Sequence, residues 1–470
     1  MKKIIFISLI FITACKAPAI LEVENKQTVP TAFNQSSDSS NIANIQWRNF
    51  FEDKNLITLI DTAIKNNYEL LSNLQDIEIT KNNIRIRHAD LLPRVSSAVG
   101  LGLEKTARYT AAGAGNASTE IIDGKEVPEP ISDIFLGFHA SWEADVWGKL
   151  HKAKKIAVIK YLQSIEGRNF LITNLVAEVA NSYYELLALD NQLDIIQQAV
   201  ELQKNELEVV KVQKEAAKAT ELAVKQFEAQ VYNSQSQLFD VQQRIVETEN
   251  KINFLLGRFP QPIVRDKKVF TTYSLKNMQI GLPAQLLQNR PDIKQAEMEL
   301  QAAKLDVQIA RAEFYPSVGF GSTLGLQAFK PKYLVSGIEG LAFSMVGEMA
   351  APLINKNAII AEFNKASANQ IAALYDYQKT ILSSYIEVAN QISNMDNLEK
   401  FYTTKSKESE TLSQSIEVAR DLFKSARANY LEILMVQRDA LSAKLELIEA
   451  RKKQFITTTN IYKALGGGWK

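Results

Sequence analysis

The chain has 470 residues, 46% of them hydrophobic, with 54 basic and 53 acidic residues and a net charge of +1. Such even charge excludes a nucleic-acid binder that works by bulk electrostatics, and the hydrophobic content excludes a chain disordered throughout. A single cysteine excludes a disulfide framework and a cysteine-rich zinc site. Three histidines, His88, His139 and His151, share no ligand spacing. No phosphate loop or nucleophile motif is present, so neither an enzyme nor a bound cofactor is expected.

Residues 1–14 read as a cleaved signal. Lys2 and Lys3 form a positive start, and Ile4 to Ile12 is an apolar run. It is shorter than the roughly 20 residues a spanning helix needs. The run ends Ile12-Thr13-Ala14-Cys15, which resembles a bacterial lipobox. A small residue suits the cut, and the Cys15 thiol would carry the lipid. Lys16 stands where an aspartate would signal inner-membrane retention in enterobacteria. Residues 15–47 are polar and serve as a linker from that anchor.

Glycine placement divides the rest. Of 19 glycines, seven lie from Gly100 to Gly148 and six from Gly319 to Gly347. Glycine is costly inside helices. The stretches around those windows are rich in Ala, Leu, Glu, Gln and Lys, and predict long helices. Inside the windows the period is two. Val95, Val99, Leu101 and Leu103 alternate with Ser96, Ala98, Gly100 and Gly102. Ile134, Leu136, Phe138, Ala140 and Trp142 form a second apolar stripe. Val318, Phe320, Leu324 and Leu326 form a third, and Leu341, Phe343 and Met345 a fourth. Each window is therefore a strand–loop–strand hairpin, at about 94–146 and 317–349. The first loop holds Ala111-Ala112-Gly113-Ala114-Gly115-Asn116-Ala117-Ser118, a composition that predicts an exposed mobile loop.

The windows match each other. Ala89-Asp90-Leu91-Leu92-Pro93 corresponds to Ala312-Glu313-Phe314-Tyr315-Pro316 at an offset of 223. Trp147 corresponds to Ile354 at 207, Gln226 to Gln437 at 211, and Leu255-Leu256-Gly257 to Ala464-Leu465-Gly466 at 209. The chain thus reads as an internal duplication, 48–257 and 283–468, joined by a linker at 258–282. Each half runs helix, hairpin, very long helix, tight turn, helix. The long helices fall near 150–214 and 356–423, about 100 Å each at 1.5 Å per residue. The turns fall near Glu215–Ala219 and Lys424–Asn429.

Strands of about ten residues with one apolar face suit an outer membrane. Four strands cannot close a barrel, and an open edge in lipid leaves backbone groups unpaired. Several chains must then share one barrel; three would give twelve strands and a lumen.

Arg290-Pro291-Asp292-Ile293, Ala296-Glu297, Leu300, Ala302-Ala303, Ala310-Arg311-Ala312 and Tyr315-Pro316-Ser317 resemble the signature of TolC-type outer-membrane efflux proteins. Trp142 to Gly148, Ala350-Ala351-Pro352-Leu353-Ile354, and Asn429 to Leu434 followed by Gln437-Arg438 resemble further family segments. With the lipobox, the chain is most similar to the lipoprotein branch that serves resistance–nodulation–division pumps. The resemblance implies a mainly α fold with a small β part. It implies a homotrimer with a twelve-stranded outer-membrane barrel and an α-helical barrel in the periplasm. It further implies a periplasmic adaptor (a membrane fusion protein) and an inner-membrane pump as partners, contact with outer-membrane lipid, and no energy source of its own.

The resemblance also places the periplasmic gate at the second-half turn. There Glu432 would be a ring carboxylate, Phe423 an aromatic of the gate and Arg427 its neighbouring cation. The ordinary reading of such charges is a solvated helix tip. Two departures mark this chain: Met435 stands where the family often has Asp, and Ala216 and Ala426 stand where it often has Gly. The first-half turn, Glu215 to Glu221, is a candidate surface for the adaptor. Two other readings stay open. One is the outer-membrane duct of a type I protein secretion system. The other is a lipid-anchored adaptor with no pore.

Overall fold

The computed structural model describes residues 18–20, 30–33, 40–122, 124–272, 279–351, 356–425 and 427–470. Cys15 and the lipobox, the segment Pro352-Leu353-Ile354, and Ala426 lie outside the described residues. The fold is mainly α with a small β part. Its principal elements are α1 (Lys54–Asn66), α2 (Tyr68–Ala89), β1 (Arg94–Glu104), β2 (Ile131–Ala144), α3 (Lys149–Glu215), α4 (Glu221–Leu255), α5 (Pro291–Ala312), β3 (Ser317–Ala328), β4 (Leu341–Ala350), α6 (Lys356–Lys424) and α7 (Tyr430–Ala464). The chain divides into two compact units. One comprises residues 1–24, 78–162 and 298–375; the other comprises 25–77, 163–297 and 376–470.

The first unit is built on the strands. They form one antiparallel sheet in the order β1-β2-β3-β4. Each glycine-rich window is a hairpin, and the two hairpins join through β2 and β3, from Ile134 opposite Ala328 to Ala144 opposite Val318. Indole nitrogens clip the ends of this sheet. Trp142 Nε1 donates to the Leu91 carbonyl at 3.0 Å, and Trp147 Nε1 to the Pro316 carbonyl at 2.7 Å. The Trp147 ring also stacks on Tyr315, with centroids 4.5 Å apart. Asp145 then starts α3, accepting from the backbone amides of Leu150 and His151 at 2.9 Å each. Burial pushes the Asp145 carboxyl up, but those amides and the His151 ring outweigh it and hold it below the usual carboxylate range.

The loop between β1 and β2 is more regular than its composition predicts. Ala111–Asn116 forms a short helix, capped where Thr110 Oγ1 accepts from the Gly113 amide at 3.1 Å. A Cβ at Gly113 would lie 2.2 Å from the Ala107 carbonyl oxygen, so glycine serves close packing here rather than looseness. A two-stranded ribbon, Glu120–Ile122 with Lys125–Glu126, follows.

The second unit holds the main core. In α1 the buried residues are Leu56, Leu59, Ile60 and Ala63, which fall on one face at helical period. Asp53 caps this helix, accepting from the Asn55 amide at 2.8 Å, and also accepts from the buried Tyr183 hydroxyl at 2.6 Å. Burial and the Asp53 hydrogen bond raise the Tyr183 phenol, so it stays a neutral donor. The segment before α1 is fastened by aromatic rings. Phe33 stacks on Tyr385 at 5.2 Å and Phe50 on Tyr462 at 4.0 Å. Each fully buried ring or aliphatic side chain contributes about 1.5–3 kcal/mol.

Positions that match in sequence make matching contacts. Gly257 and Gly466 follow α4 and α7 with φ of +65° and +91°, a conformation that favours glycine. A Cβ at Gly257 would lie 2.3 Å from the Asn66 carbonyl oxygen, and one at Gly466 would lie 2.7 Å from that of Asn289. Asn66 and Asn289 are themselves 223 apart. The next residue in each repeat holds the end of the returning helix. Asn67 Nδ2 donates to the Leu255 carbonyl at 3.0 Å, and an Arg290 guanidinium nitrogen donates to the Ala464 carbonyl at 2.7 Å. Pro291 opens α5 at its first helical position. Asp292, in the first turn, also forks onto Arg290, at 3.0 and 2.6 Å.

Candidate functional site

Two regions carry the functional reading, and each lies within one unit. The first is the sheet. Strand alternation and register place Val95, Val99, Leu101 and Leu103 of β1 beside Leu136, Phe138 and Trp142 of β2. Phe320 and Leu324 of β3, with Leu341, Phe343, Met345 and Met349 of β4, extend the same face. All of these side chains are exposed; Leu101 is 80% and Met345 83% accessible. Isolated exposed apolar residues are ordinary, but one continuous face across four strands marks a surface built for a nonaqueous neighbour.

The opposite face is small and polar. It carries Ser96, Ala98, Gly100 and Gly102, then Gly137, His139 and Ser141, then Gly319, Gly321 and Gly325. Gly137 and Gly325 face each other across β2 and β3. A Cβ at Gly137 would lie 2.4 Å from the Leu324 carbonyl oxygen, and one at Gly325 would lie 2.7 Å from the Gly137 Cα. The outer edges, β1 and β4, have no strand partner among the described residues. Along these strands of eleven and ten residues, the backbone groups that point away from the sheet are left unpaired.

The second region is the pair of tip turns in the helical unit. α3 ends in a Schellman turn: the Lys218 amide donates to the Gln213 carbonyl at 2.8 Å, and the Ala217 amide to Lys214 at 2.9 Å. The left-handed residue is Ala217, with φ +56°, and not the expected Ala216. The helix runs through Glu215, so the position beyond the cap falls one residue later. Left-handed geometry costs an alanine about 1 kcal/mol that glycine avoids. Ala217→Gly is therefore expected to slow hydrogen exchange of the Lys218 amide about fivefold, equivalent to about 1 kcal/mol; mass spectrometry of the tip peptide reads this. Across the turn, Lys214 pairs with Glu221. That hydrogen bond, with the lysine's charge, draws the Glu221 carboxyl below its ordinary value. Thr220 caps α4 through the Ala223 amide at 3.2 Å.

The second-half turn holds the three proposed gate residues near one helix start. Glu432 is exposed and occupies the third position of α7. Asn429 Oδ1 accepts from the amides of Leu431 and Glu432 at 2.9 and 3.1 Å. Glu432 Oε2 accepts in return from the Asn429 amide at 3.1 Å, closing a capping box. A carboxylate there is also favoured by the positive end of the helix. Arg427 is exposed, and its amide donates to the Leu422 carbonyl at 2.8 Å, ending α6. Phe423 is half-buried in the last turn of α6. Beneath the tips, Leu207, Val210, Val224, Phe227 and Val231 form a buried cluster on which Tyr430 and Leu434 pack. Glu206 ties the helices together, accepting from Arg420 at 3.2 Å and from Gln437.

Among the described residues no group of His, Cys, Asp and Glu is placed to hold a metal ion. The Gly137–Gly325 pair and the Arg290 cluster are not anticipated in the sequence reading. The offset of 223, which sets Asn67 against Arg290, is the signal that leads to the latter.

A family model described as outer membrane efflux protein matches residues 59–258 and 282–467. The chain is 27% identical over 440 residues to the pyoverdine export outer membrane protein OpmQ of Pseudomonas aeruginosa, covering 92% of this chain and 89% of that protein. It is 24% identical over 480 residues to the probable outer membrane lipoprotein SilC of Salmonella typhimurium, covering 99% of each. The fold matches the open state of the Neisseria gonorrhoeae MtrE outer membrane channel. The TM-score is 0.83 at 21% identity, over 96% of this chain and 98% of that one.

Proposed function

The chain belongs to the outer membrane efflux protein family, and from that premise we propose that it is the outer-membrane duct of a tripartite system exporting small toxic molecules. The observation that carries this reading is the sheet with one exposed apolar face, one small polar face and two open edges. An open edge in hydrocarbon costs several kcal/mol per unpaired group, so the edges must meet other strands. Three copies supply twelve, with the apolar face toward lipid and the small face lining a lumen. A periplasmic adaptor and an inner-membrane resistance–nodulation–division pump are the partners, and the pump supplies the energy. One relative named for pyoverdine export speaks for small solutes over the protein-secretion reading.

Lipidation at Cys15 fits the position of the nearby chain. Ile20 packs on a cluster formed by Val307, Ala310, Phe363 and Ala366, with Phe314 beside it. Val307 and Ala310 of that cluster lie shortly before Ser317, where β3 begins, and Phe363 and Ala366 lie shortly after β4 ends. Five residues reach at most about 18 Å, enough to bring a lipid at Cys15 toward the base of the sheet. A relative named as an outer membrane lipoprotein supports the same assignment.

At the tip, Glu432 is the gate carboxylate, with Phe423 and Arg427 beside it. Three copies of Glu432 around an axis would attract cations. The capping box makes Glu432→Gln a clean probe, since the amide oxygen still accepts from Asn429 while the charge is gone. Single-channel recording of the detergent-purified protein in a planar bilayer should show small, discrete, cation-preferring steps. The Glu432→Gln variant should lose at least half of that preference. Steps unchanged by the variant would remove Glu432 from the ion path. A monomeric sample without conductance would overturn the duct. Cys15→Ser should abolish metabolic lipid labelling; persistent labelling would overturn the anchor.

A further inference from the structure

On the small face of the sheet, Asp133, Phe135, Gly137 and His139 follow one another along β2 at period two. The Phe135 ring lies over the paired glycines. A Cβ on Gly137 or on Gly325 would each come within 2.8 Å of a ring carbon. His139 continues the surface: its ring is stacked on Phe135 with centroids 5.3 Å apart and planes 20° apart. The imidazole is held by Thr323, whose Oγ1 lies 2.9 Å from Nδ1. Asp133 Oδ1 accepts from Gln327 Nε2 at 2.8 Å, which fixes a carboxylate beside Phe135. The β1 residues opposite Asp133, Phe135 and Gly137 are Gly102, Gly100 and Ala98, which have no side chain long enough to cover the rings.

These positions combine a fixed aromatic surface, a negative charge at its end and small β1 neighbours that leave the rings uncovered on that side. A ring face attracts cations through its quadrupole, and a planar partner adds stacking area. We propose that Phe135 and His139, with Asp133, form a contact site for planar aromatic cations on the small face. The proposal rests on the reading of that face as the lumen wall. It gives the duct a preference among solutes, since Phe135 and His139 are the only rings that the described strand residues place on that face. An aliphatic cation gains the carboxylate and the ring quadrupole but no stacking area.

The test uses the full chain in detergent and N-methylacridinium as probe, followed by fluorescence quenching. Phe135→Leu keeps apolar bulk and removes the ring face, and should weaken binding about tenfold. Asp133→Asn should weaken it about threefold. Hexylammonium should displace the probe poorly from the native protein. Equal binding by native protein and Phe135→Leu would overturn the proposal, and so would displacement by hexylammonium as effective as that by the aromatic cation. Gel mobility of the oligomer and circular dichroism confirm that each variant is folded. Conductance separates the two readings. Channel steps with binding indifferent to Phe135 overturn the site alone; ring-dependent binding in a monomeric protein that never conducts overturns the duct.

Discussion

Replacing Arg290 by alanine is expected to cost about 3–5 kcal/mol. Arg290 is 7% exposed. Its guanidinium forks onto Asp292, meets Glu387 at 2.7 Å and holds the Ala464 carbonyl at 2.7 Å. One side chain thus joins the start of α5, the middle of α6 and the end of α7. Alanine would take the guanidinium donor from Glu387, from the Ala464 carbonyl and from Asp292, which would keep the Ile293 amide at 3.0 Å. Glu387 is partly open to solvent, which draws the figure toward the lower end. Lysine keeps the charge but not the fork, so Arg290→Lys should recover only part of the loss. Asn67→Ala, at the matching place in the first repeat, loses two neutral hydrogen bonds, one to the Leu255 carbonyl and one from the Leu70 amide, and should cost about 1–3 kcal/mol. Thermal and urea unfolding of the purified protein measure all three. A loss below 1 kcal/mol for Arg290→Ala would show that water replaces the guanidinium at no cost.

Gly137→Leu is expected to abolish the sheet. A Cβ there would meet the Leu324 carbonyl oxygen at 2.4 Å and the Gly325 Cα at 2.5 Å. Neither is a side chain that can turn away, so β2 and β3 must separate. Overpacking a well-filled site costs about 1–3 kcal/mol when side chains adjust, and more when backbone must move. Once that pairing opens, the two hairpins no longer form one sheet. The expected result is loss of protease-resistant protein from the outer-membrane fraction. Gly325→Leu should do the same. Gly115→Ala is the control, since its Cβ would meet nothing within 4 Å, and it should be recovered in native amount. Native yields of Gly137→Leu would show that the strands do not approach each other so closely in the membrane.

Much of this is legible in the chain before folding. Period-two alternation assigns the four strands of the main sheet and their apolar face, because a strand's side chains alternate whatever surrounds it; the short ribbon of Glu120–Ile122 and Lys125–Glu126 has no such pattern and is read only from the fold. The scarcity of glycine marks the long helices, because its cost there is a property of the residue. Less legible are the places where local chemistry has competing uses. Ala111 to Ser118 reads as loose and instead forms a capped turn, because Thr110 caps it and Gly113 packs against Ala107. Glu432 reads as a gate carboxylate and is found also closing a capping box, a use that the Asn429–Glu432 spacing allows.

By itself the sequence determined the two hairpins, the two long helices and the candidate anchor, all carried by neighbours within a few residues, and the repeat offset, carried by likeness between the two halves. The tertiary structure alone decided that β2 pairs with β3, that Gly137 meets Gly325 across 188 positions, and that Arg290 reaches Ala464 across 174. It also decided that Phe135 lies flat beside His139 rather than standing off the sheet. The physical reason is range. Alternation and propensity act along the chain, whereas a close backbone approach or a buried guanidinium exists only once distant segments are brought together and water is excluded from between them.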